Sequence, residues 1–182
     1  MLLRAAFLVA TVVVATSVTA NAAPITLTFN TPFNGLVYTE AGLNISAEPG
    51  SANVNVLNGV LGFGCCSPPI VIDWSLTLSG GGLFDLISID AVHVDSPDPV
   101  TFTGWLGGVA VALHTFSGNT AGFNFTGFTG LDEVTITANM ATFADPQFDN
   151  LTYDASAVPA PAALPLLVVG LGGLAVARRR RA

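Results

Sequence analysis

The chain has 182 residues, of which 51% are hydrophobic and only 9% are charged, and its formal net charge is −7 at pH 7. All five basic residues lie at the ends, at Arg4 and at 178–181, whereas all twelve acids lie between Glu40 and Asp154. Twelve acids and no bases give the interior a charge near −12. This excludes nucleic acid as a direct partner, because nothing in the interior can neutralise phosphates.

The first 22 residues have the three parts of a secretory signal peptide. Arg4 supplies the positive charge, residues 5–14 are apolar, and small residues from Val18 to Ala22 form a cleavage site. We expect cleavage after Ala20 or Ala22. The sequence therefore predicts an exported protein.

Residues 23–157 are expected to form one outer domain, because about 135 residues are enough to enclose a hydrophobic core. No segment of this domain has a helical pattern. Short segments instead alternate apolar and polar residues, which is typical of half-buried strands. The clearest runs from Ile72 to Leu78, and its alternation places Trp74 in the core. The predicted strands are 25–29, 36–40, 43–47, 53–57, 72–78, 84–94, 100–105, 109–114, 123–128, 134–138 and 148–153.

Turn signals separate these strands. Gly80-Gly81-Gly82 indicates a turn, and Gly107-Gly108 indicates the turn of a hairpin. The alternation is disturbed near Leu86-Ile87, which predicts a bulge in that strand. Many short strands with glycine-rich turns predict an all-β fold, an antiparallel β-sandwich or jelly roll.

The only two cysteines are adjacent, Cys65 and Cys66. An exported protein meets an oxidising environment, in which disulfides form. We expect the two neighbours to bond to each other and stiffen the local loop; two free thiols and bridges to another chain are the alternatives.

Two oxygen-rich turns are candidate cation sites. Asp95 and Asp98 flank Ser96-Pro97, and Asp145 and Asp149 lie in the segment 145–150. Carboxylates and carbonyl oxygens are the ligands of calcium. The competing interpretation is that both segments are solvated turns.

No catalytic motif is present, and we expect that the protein is not an enzyme. There is neither a serine in a nucleophile elbow nor a cysteine with spaced His and Asn partners. Twelve acids could supply the carboxylate pair of a glycoside hydrolase, but acids spread over strands and turns usually solvate a surface. His93 and His114 could join an acid in a metal site, or each could simply bond a neighbouring carboxylate.

A sugar-binding platform requires an exposed ring that is apolar in body and polar at its tip. The chain has only two tryptophans and two tyrosines. Trp105 is the candidate glycan contact, because it lies at a strand end beside Gly104 and Gly107-Gly108.

The last 25 residues, 158–182, have three parts. Val158-Pro159-Ala160-Pro161 is extended, since proline fixes its own φ and disfavours helix before it. An apolar run of about 20 residues, the length that crosses a bilayer, follows. Arg178, Arg179, Arg180 and Arg181 then stay cytoplasmic by the positive-inside rule. The chain before this tail therefore faces outward.

This tail resembles the PEP-CTERM sorting signal, in its VPLPA-CTERM variety, with Ala160 in place of the leucine. The resemblance implies that an exosortase in the membrane recognises and cleaves the tail. It also implies delivery to the cell surface or extracellular matrix of a Gram-negative bacterium that makes exopolysaccharide. A plain single-pass anchor is the alternative.

The segments 84–90, 100–104 and 148–151 resemble a recurrent outer domain of PEP-CTERM proteins, which is similar to carbohydrate-binding-module jelly rolls. A calcium ion often ties the last strand to the first in such jelly rolls, which implies Asp149 as a ligand. The expected function is a structural or binding component associated with exopolysaccharide. The alternatives are a calcium-dependent carbohydrate-binding module and a secreted glycan-active hydrolase.

Overall fold

The computed structural model describes residues 23–63, 70–94, 98–140 and 146–155. The predicted signal peptide, the sorting tail, both cysteines, Asp95 and Asp145 lie outside these ranges. Within the same ranges, no helix is long and apolar enough to span a membrane.

Thirteen strands account for most of the described residues. Each strand pairs antiparallel with its neighbours. The predicted all-β, antiparallel class is therefore confirmed. The strands are β1 (Ile25–Leu27), β2 (Phe33–Gly35), β3 (Val37–Glu40), β4 (Leu43–Ala47), β5 (Val54–Leu57), β6 (Val60–Phe63), β7 (Ile70–Leu78), β8 (Phe84–His93), β9 (Val100–Leu106), β10 (Val109–Phe116), β11 (Thr120–Asn124), β12 (Glu133–Met140) and β13 (Gln147–Ala155).

The strands form two sheets. Sheet A has the order β11-β8-β13-β6-β5-β2, with β1 beside β13, and sheet B has the order β10-β9-β12-β7-β4-β3. From β7 onward the chain crosses repeatedly between the sheets, since β8, β11 and β13 lie in sheet A and the strands between them lie in sheet B. These crossings hold the two sheets face to face.

The inward-facing residues of both sheets form one hydrophobic core. Trp74 is fully buried, and its Nε1 donates a hydrogen bond to the carbonyl oxygen of Ala52 at 2.8 Å. The predicted core position of Trp74 is confirmed. Phe102 of sheet B lies 5.4 Å, between ring centroids, from Phe148 of sheet A. Among the described residues, the buried apolar side chains of this core run from Leu27 to Tyr153.

The predicted irregularities of the strands are confirmed. Thr152 pairs with Ser88 and Tyr153 with Leu86, so Ile87 is an extra residue in β8, where the sequence predicted a bulge. The hairpin between β9 and β10 turns at Gly107-Gly108, as predicted. The last predicted strand also forms, with its bounds extended at both ends.

Four strand predictions need correction. β1 ends at Leu27, whereas the prediction continued to Phe29, whose φ of 49° lies outside the extended region. β2 and β6 were not predicted, although the β5–β6 turn has the Asn58-Gly59 dipeptide favoured in two-residue hairpins. Both residues have positive φ, 55° and 80°. β11 ends at Asn124, whereas the prediction continued to Phe128. Phe128 is buried from the connection after β11, so its apolar character reflects core packing and not strand pairing.

Candidate functional site

Of the four Trp and Tyr residues in the sequence, only Trp105 is not buried. Tyr38, Trp74 and Tyr153 are buried in the core. Trp105 is half-buried. Trp105 is therefore the one Trp or Tyr of this chain that a ligand could reach from solvent.

Strand pairing places Trp105 on the outer face of sheet B. It is the second-last residue of β9 and lies opposite Glu133 of β12 on one side and Ala110 of β10 on the other. The indole Nε1 donates a hydrogen bond to Thr135 Oγ1 at 3.0 Å. Thr135 is two residues further along β12, so the indole leans over the neighbouring strand instead of extending into solvent.

Threonine hydroxyl groups lie along β9 and β12 next to this indole. Thr103 lies opposite Thr135, and Thr101 lies opposite Thr137, so two threonine pairs cover adjacent strands of the outer face. This pattern can be read in the sequence, because both strands contain two threonines separated by one buried apolar residue. The face therefore offers donors and acceptors of the kind that a polyhydroxylated ligand requires.

Two carboxylates lie at the same end of this face. Glu133 Oε1 accepts a hydrogen bond from Ser75 Oγ at 2.6 Å. Asp132 Oδ2 accepts the Gly107 N–H at 2.6 Å and so holds the tip of the β9–β10 hairpin. The backbone that carries Trp105 is thus fixed on both sides, by β12 and by the turn that follows.

A shallow depression of about 370 Å³ lies on the outer face of sheet B, toward the start of β9. Its polar lining includes Asp73, Thr101, Thr137 and Asn139. Thr101 belongs to the same strand as Trp105. The outer face of sheet B therefore combines one aromatic residue, a polar surface and a shallow depression.

The structure describes two of the four predicted calcium ligands, Asp98 and Asp149. Asp98 is buried just before β9, and Asp149 is half-buried on β13. The described ranges contain no group of three or more His, Cys, Asp or Glu side chains that could hold a metal ion. Asp95 and Asp145 lie outside those ranges, so the calcium site stays a prediction.

Asp149 and Asp90 face each other across β13 and β8, and their surroundings shift their acidity in opposite directions. Burial raises the pKa of Asp149, and the charges of Asp90 and Glu40 raise it further, against a lowering by the Asn150 N–H. Hydrogen bonds from the Asn150 side chain, at 2.7 Å, and from the Gly122 N–H lower the pKa of Asp90. Asp90 is thus the carboxylate that the fold stabilises in its charged form.

Three acids bond to backbone N–H groups of glycines and do not merely solvate a surface, which corrects that part of the sequence interpretation. Each of these glycines has a positive φ, between 58° and 62°. The carboxylate–glycine pairs are Asp85 with Gly130, Asp90 with Gly122, and Asp132 with Gly107.

The two histidines lie on different sheets, His93 on β8 and His114 on β10. The His114 ring stacks on Phe123 with ring centroids 4.0 Å apart and meets Phe116 edge-on at 4.5 Å. Burial lowers the pKa of His114. These contacts identify His114 as part of the aromatic packing between β10 and β11.

The sequence-predicted site residues that the structure describes do not form one site. Trp105 lies on the outer face of sheet B, whereas Asp149 lies on β13 of sheet A. Asp98 is buried before β9. No protein-family model, curated protein or solved structure matches this chain.

Proposed function

We propose that the chain is an exported, non-enzymatic surface or matrix protein that binds exopolysaccharide on the outer face of sheet B. Trp105 carries this proposal, since it is the one Trp or Tyr that is not buried. Its indole is positioned by Thr135 and flanked by threonine pairs. An aromatic ring combined with hydroxyl groups suits a sugar, whose C–H face packs on the ring while its hydroxyls bond the polar groups.

The proposal includes a jelly-roll connectivity for this sandwich. Its support is the order of β6 to β13, which is β6-β13-β8-β11 in sheet A and β7-β12-β9-β10 in sheet B. Double-sheet jelly rolls contain eight strands arranged in two Greek keys. Such a fold leaves one broad outer face per sheet, and sheet B presents its face as the binding surface.

The proposal also includes removal of both ends during export. Its support is the sequence of residues 1–22 and of residues 158–182. Exosortase and the membrane are the partners of the precursor, and the mature domain reaches the cell surface or the matrix of a Gram-negative bacterium. The four arginines keep the tail in place until cleavage.

Glycan binding is tested with residues 23–157 and purified bacterial exopolysaccharide, by affinity electrophoresis. We expect Trp105→Ala to weaken binding about tenfold, which corresponds to about 1.4 kcal/mol. Leu57→Ala is the matched control, because Leu57 is an exposed apolar residue of sheet A. Equal binding by the wild type and Trp105→Ala would refute the site.

Sorting is tested with the full chain in a Gram-negative host, with and without a working exosortase. Intact mass of the surface protein should lack the first 20 or 22 residues and the arginine-bearing tail. Neutral residues in place of Arg178 to Arg181 should impair retention before cleavage, because the charge that stops transfer is lost. Uncleaved tails in the exosortase-positive host would contradict the sorting proposal.

A further inference from the structure

Four hydroxyl side chains form a row across the outer face of sheet B. Thr135 of β12 lies opposite Thr103 of β9 on one side and opposite Ser75 of β7 on the other. Ser75 in turn lies opposite Ser46 of β4. Neighbouring strands are about 4.8 Å apart, so this row is about 14 Å long. We call these four residues the hydroxyl row; it starts beside Trp105, whose indole bonds Thr135.

Two acids lie on opposite sides of the hydroxyl row. Glu133 is two residues before Thr135 on β12, and Asp73 is two residues before Ser75 on β7. Because these two strands are antiparallel, one acid lies on each side of the row. Two residues of a strand span about 7 Å, which is less than the Debye length of about 8 Å at physiological salt. A charge that binds over the middle of the row is therefore only partly screened from both acids.

Glu133 reaches the hydroxyl row itself. Its Oε1 accepts a hydrogen bond from Ser75 Oγ at 2.6 Å, and Ser75 is buried. The carboxylate therefore leans from β12 toward β7. An ionised carboxylate has acceptor positions for about four hydrogen bonds, of which the Ser75 bond uses one. Glu133 can thus accept further hydrogen bonds from the hydroxyl groups of a ligand that lies over the row.

No Lys or Arg balances these acids. Residues 23–157 contain twelve acids and neither of these two bases. The one histidine in the strands of sheet B is His114, whose ring stacks on Phe123 and whose pKa is lowered by burial. The domain therefore repels a ligand with carboxylate, sulfate or phosphate groups, and the repulsion is strongest where acids lie close to the ligand. An uncharged ligand meets no such repulsion.

We propose that the outer face of sheet B selects uncharged polysaccharides over anionic ones, and that Glu133 determines this selectivity. The selectivity rests on the proposed glycan-binding function of the same face. Glu133 favours a neutral chain by accepting its hydroxyl groups, since a hydrogen bond to an ionised acceptor is strong. It disfavours an anionic chain, because like charges brought together in a complex weaken binding.

Affinity electrophoresis tests this selectivity with two forms of one purified bacterial exopolysaccharide. In the neutral form, any uronic acids are reduced to the corresponding neutral sugars. In the anionic form, primary hydroxyl groups are oxidised to carboxylates. The protein is residues 23–157, which contain all thirteen described strands and belong to one compact unit of the chain.

At low salt the wild type should bind the neutral form about tenfold more tightly than the anionic form. EDTA is present, so that no divalent cation bridges the acids of the protein and of the polysaccharide. Added NaCl should reduce the ratio of the two affinities, because it screens the repulsion. A ratio that salt does not change would show that the lost hydroxyl groups, and not the charge, weaken binding of the anionic form.

Glu133→Gln separates the local carboxylate from the overall charge. It keeps an oxygen that can accept the Ser75 hydroxyl, so the fold should be retained, and circular dichroism checks this. We expect the low-salt ratio to fall from about tenfold to about threefold, because one of the acids beside the ligand is removed. Asp154→Asn is the matched control, since it removes the same charge from a half-buried position on β13 of sheet A. It should leave the ratio close to that of the wild type.

The possible failures are distinguishable. If the wild type bound neither form, the proposed glycan-binding function would be wrong. If it bound both forms equally, or the anionic form more tightly, glycan binding would stand and the selectivity would be overturned. Equal ratios for Glu133→Gln and Asp154→Asn would overturn the assignment of the selectivity to Glu133.

Discussion

At the scale of single residues, this domain stabilises its carboxylates without any Lys or Arg. Asp85, Asp90 and Asp132 each accept the N–H of a glycine with positive φ, and Asp90 also bonds the Asn150 side chain. A hydrogen bond to an ionised acceptor is stronger than one between neutral groups. These three acids therefore help to fix the backbone at the glycines that they bond. A neutral side chain in the same position would make a weaker hydrogen bond.

The facing pair Asp90 and Asp149 predicts opposite effects of two similar substitutions. Asp90→Asn should lower the thermal midpoint at neutral pH, because the fold stabilises the charged form of this residue. Asp149→Asn should raise it, because burial and the neighbouring charges of Asp90 and Glu40 raise the pKa of Asp149. Each change should stay below about 1 kcal/mol, since both carboxylates are partly solvated.

The contributions of Asp90 and Asp149 to stability depend on pH in opposite ways, because their pKa values are shifted in opposite directions. The lowered pKa of Asp90 gives stability that is present above its ordinary value of 3.8 and is lost as pH falls through the folded value. The raised pKa of Asp149 gives stability that is present below 3.8 and is lost as pH rises through the folded value. Thermal melts of the wild type and the two variants across the acidic range measure both contributions. If Asp90→Asn and Asp149→Asn changed the midpoint relative to the wild type in the same direction, this assignment would be contradicted.

His114 predicts a loss of stability on mild acidification. Burial lowers its pKa, so between its folded value and the ordinary 6.5 the unfolded chain binds a proton that the folded chain does not. Stability from this group is present above 6.5 and is lost as pH falls. His114→Phe keeps an aromatic ring and cannot titrate. Between about pH 8 and about pH 5, the wild-type midpoint should fall relative to that of the variant; parallel curves would exclude this role.

At the scale of elements, the β9–β10 hairpin needs glycine for two different reasons. Gly107 and Gly108 both have positive φ, 58° and 76°, as a two-residue hairpin turn requires. A Cβ at Gly107 would meet nothing within 4 Å. A Cβ at Gly104, within β9, would lie 2.9 Å from Leu131 Cδ1 in the core. The first position is restricted by backbone conformation and the second by packing.

Substitutions should separate these two requirements. Gly104→Ala should lower the free energy of unfolding by about 1–3 kcal/mol through overpacking against Leu131. Gly107→Ala should cost about 1–2 kcal/mol through its left-handed backbone, whereas Gly107→Asn should cost less, because Asn tolerates that conformation. Urea unfolding measures all three. Equal losses for the two Gly107 variants would show that the turn does not depend on φ.

At the scale of the whole molecule, the unbalanced charge should control stability. Twelve acids without a base repel one another within a domain only a few Debye lengths across. Because the domain contains no Lys or Arg, it has no ion pair with these residues that salt could weaken. Screening by salt therefore only reduces the repulsion between the acids. The thermal midpoint of residues 23–157 should therefore rise from low to physiological NaCl. A flat or falling midpoint would refute the repulsion.

Calcium chloride at matched ionic strength extends the same experiment. If a calcium site includes Asp149, calcium should raise the midpoint beyond the effect of NaCl, because a ligand of the folded state stabilises it. Asp149→Asn should then lose the additional effect of calcium while keeping the response to NaCl. Equal midpoints in the two salts would remove calcium from the description of this protein.

The sequence by itself determined the class of the fold, the core position of Trp74 and the uneven charge. Successive side chains of a strand point to opposite faces, so local alternation is enough to identify a strand and its buried face. Gly107-Gly108 and the bulge at Ile87 were also predictable, because turn and bulge signals depend on adjacent residues.

Only the tertiary structure decided which residues meet across the chain. Asp85 reaches the Gly130 N–H over 45 positions, and the Tyr153 hydroxyl reaches the Ala41 carbonyl over 112. No local pattern encodes such a partner, because strand order and register set it. The same long-range pairing left Trp105 half-buried over Thr135.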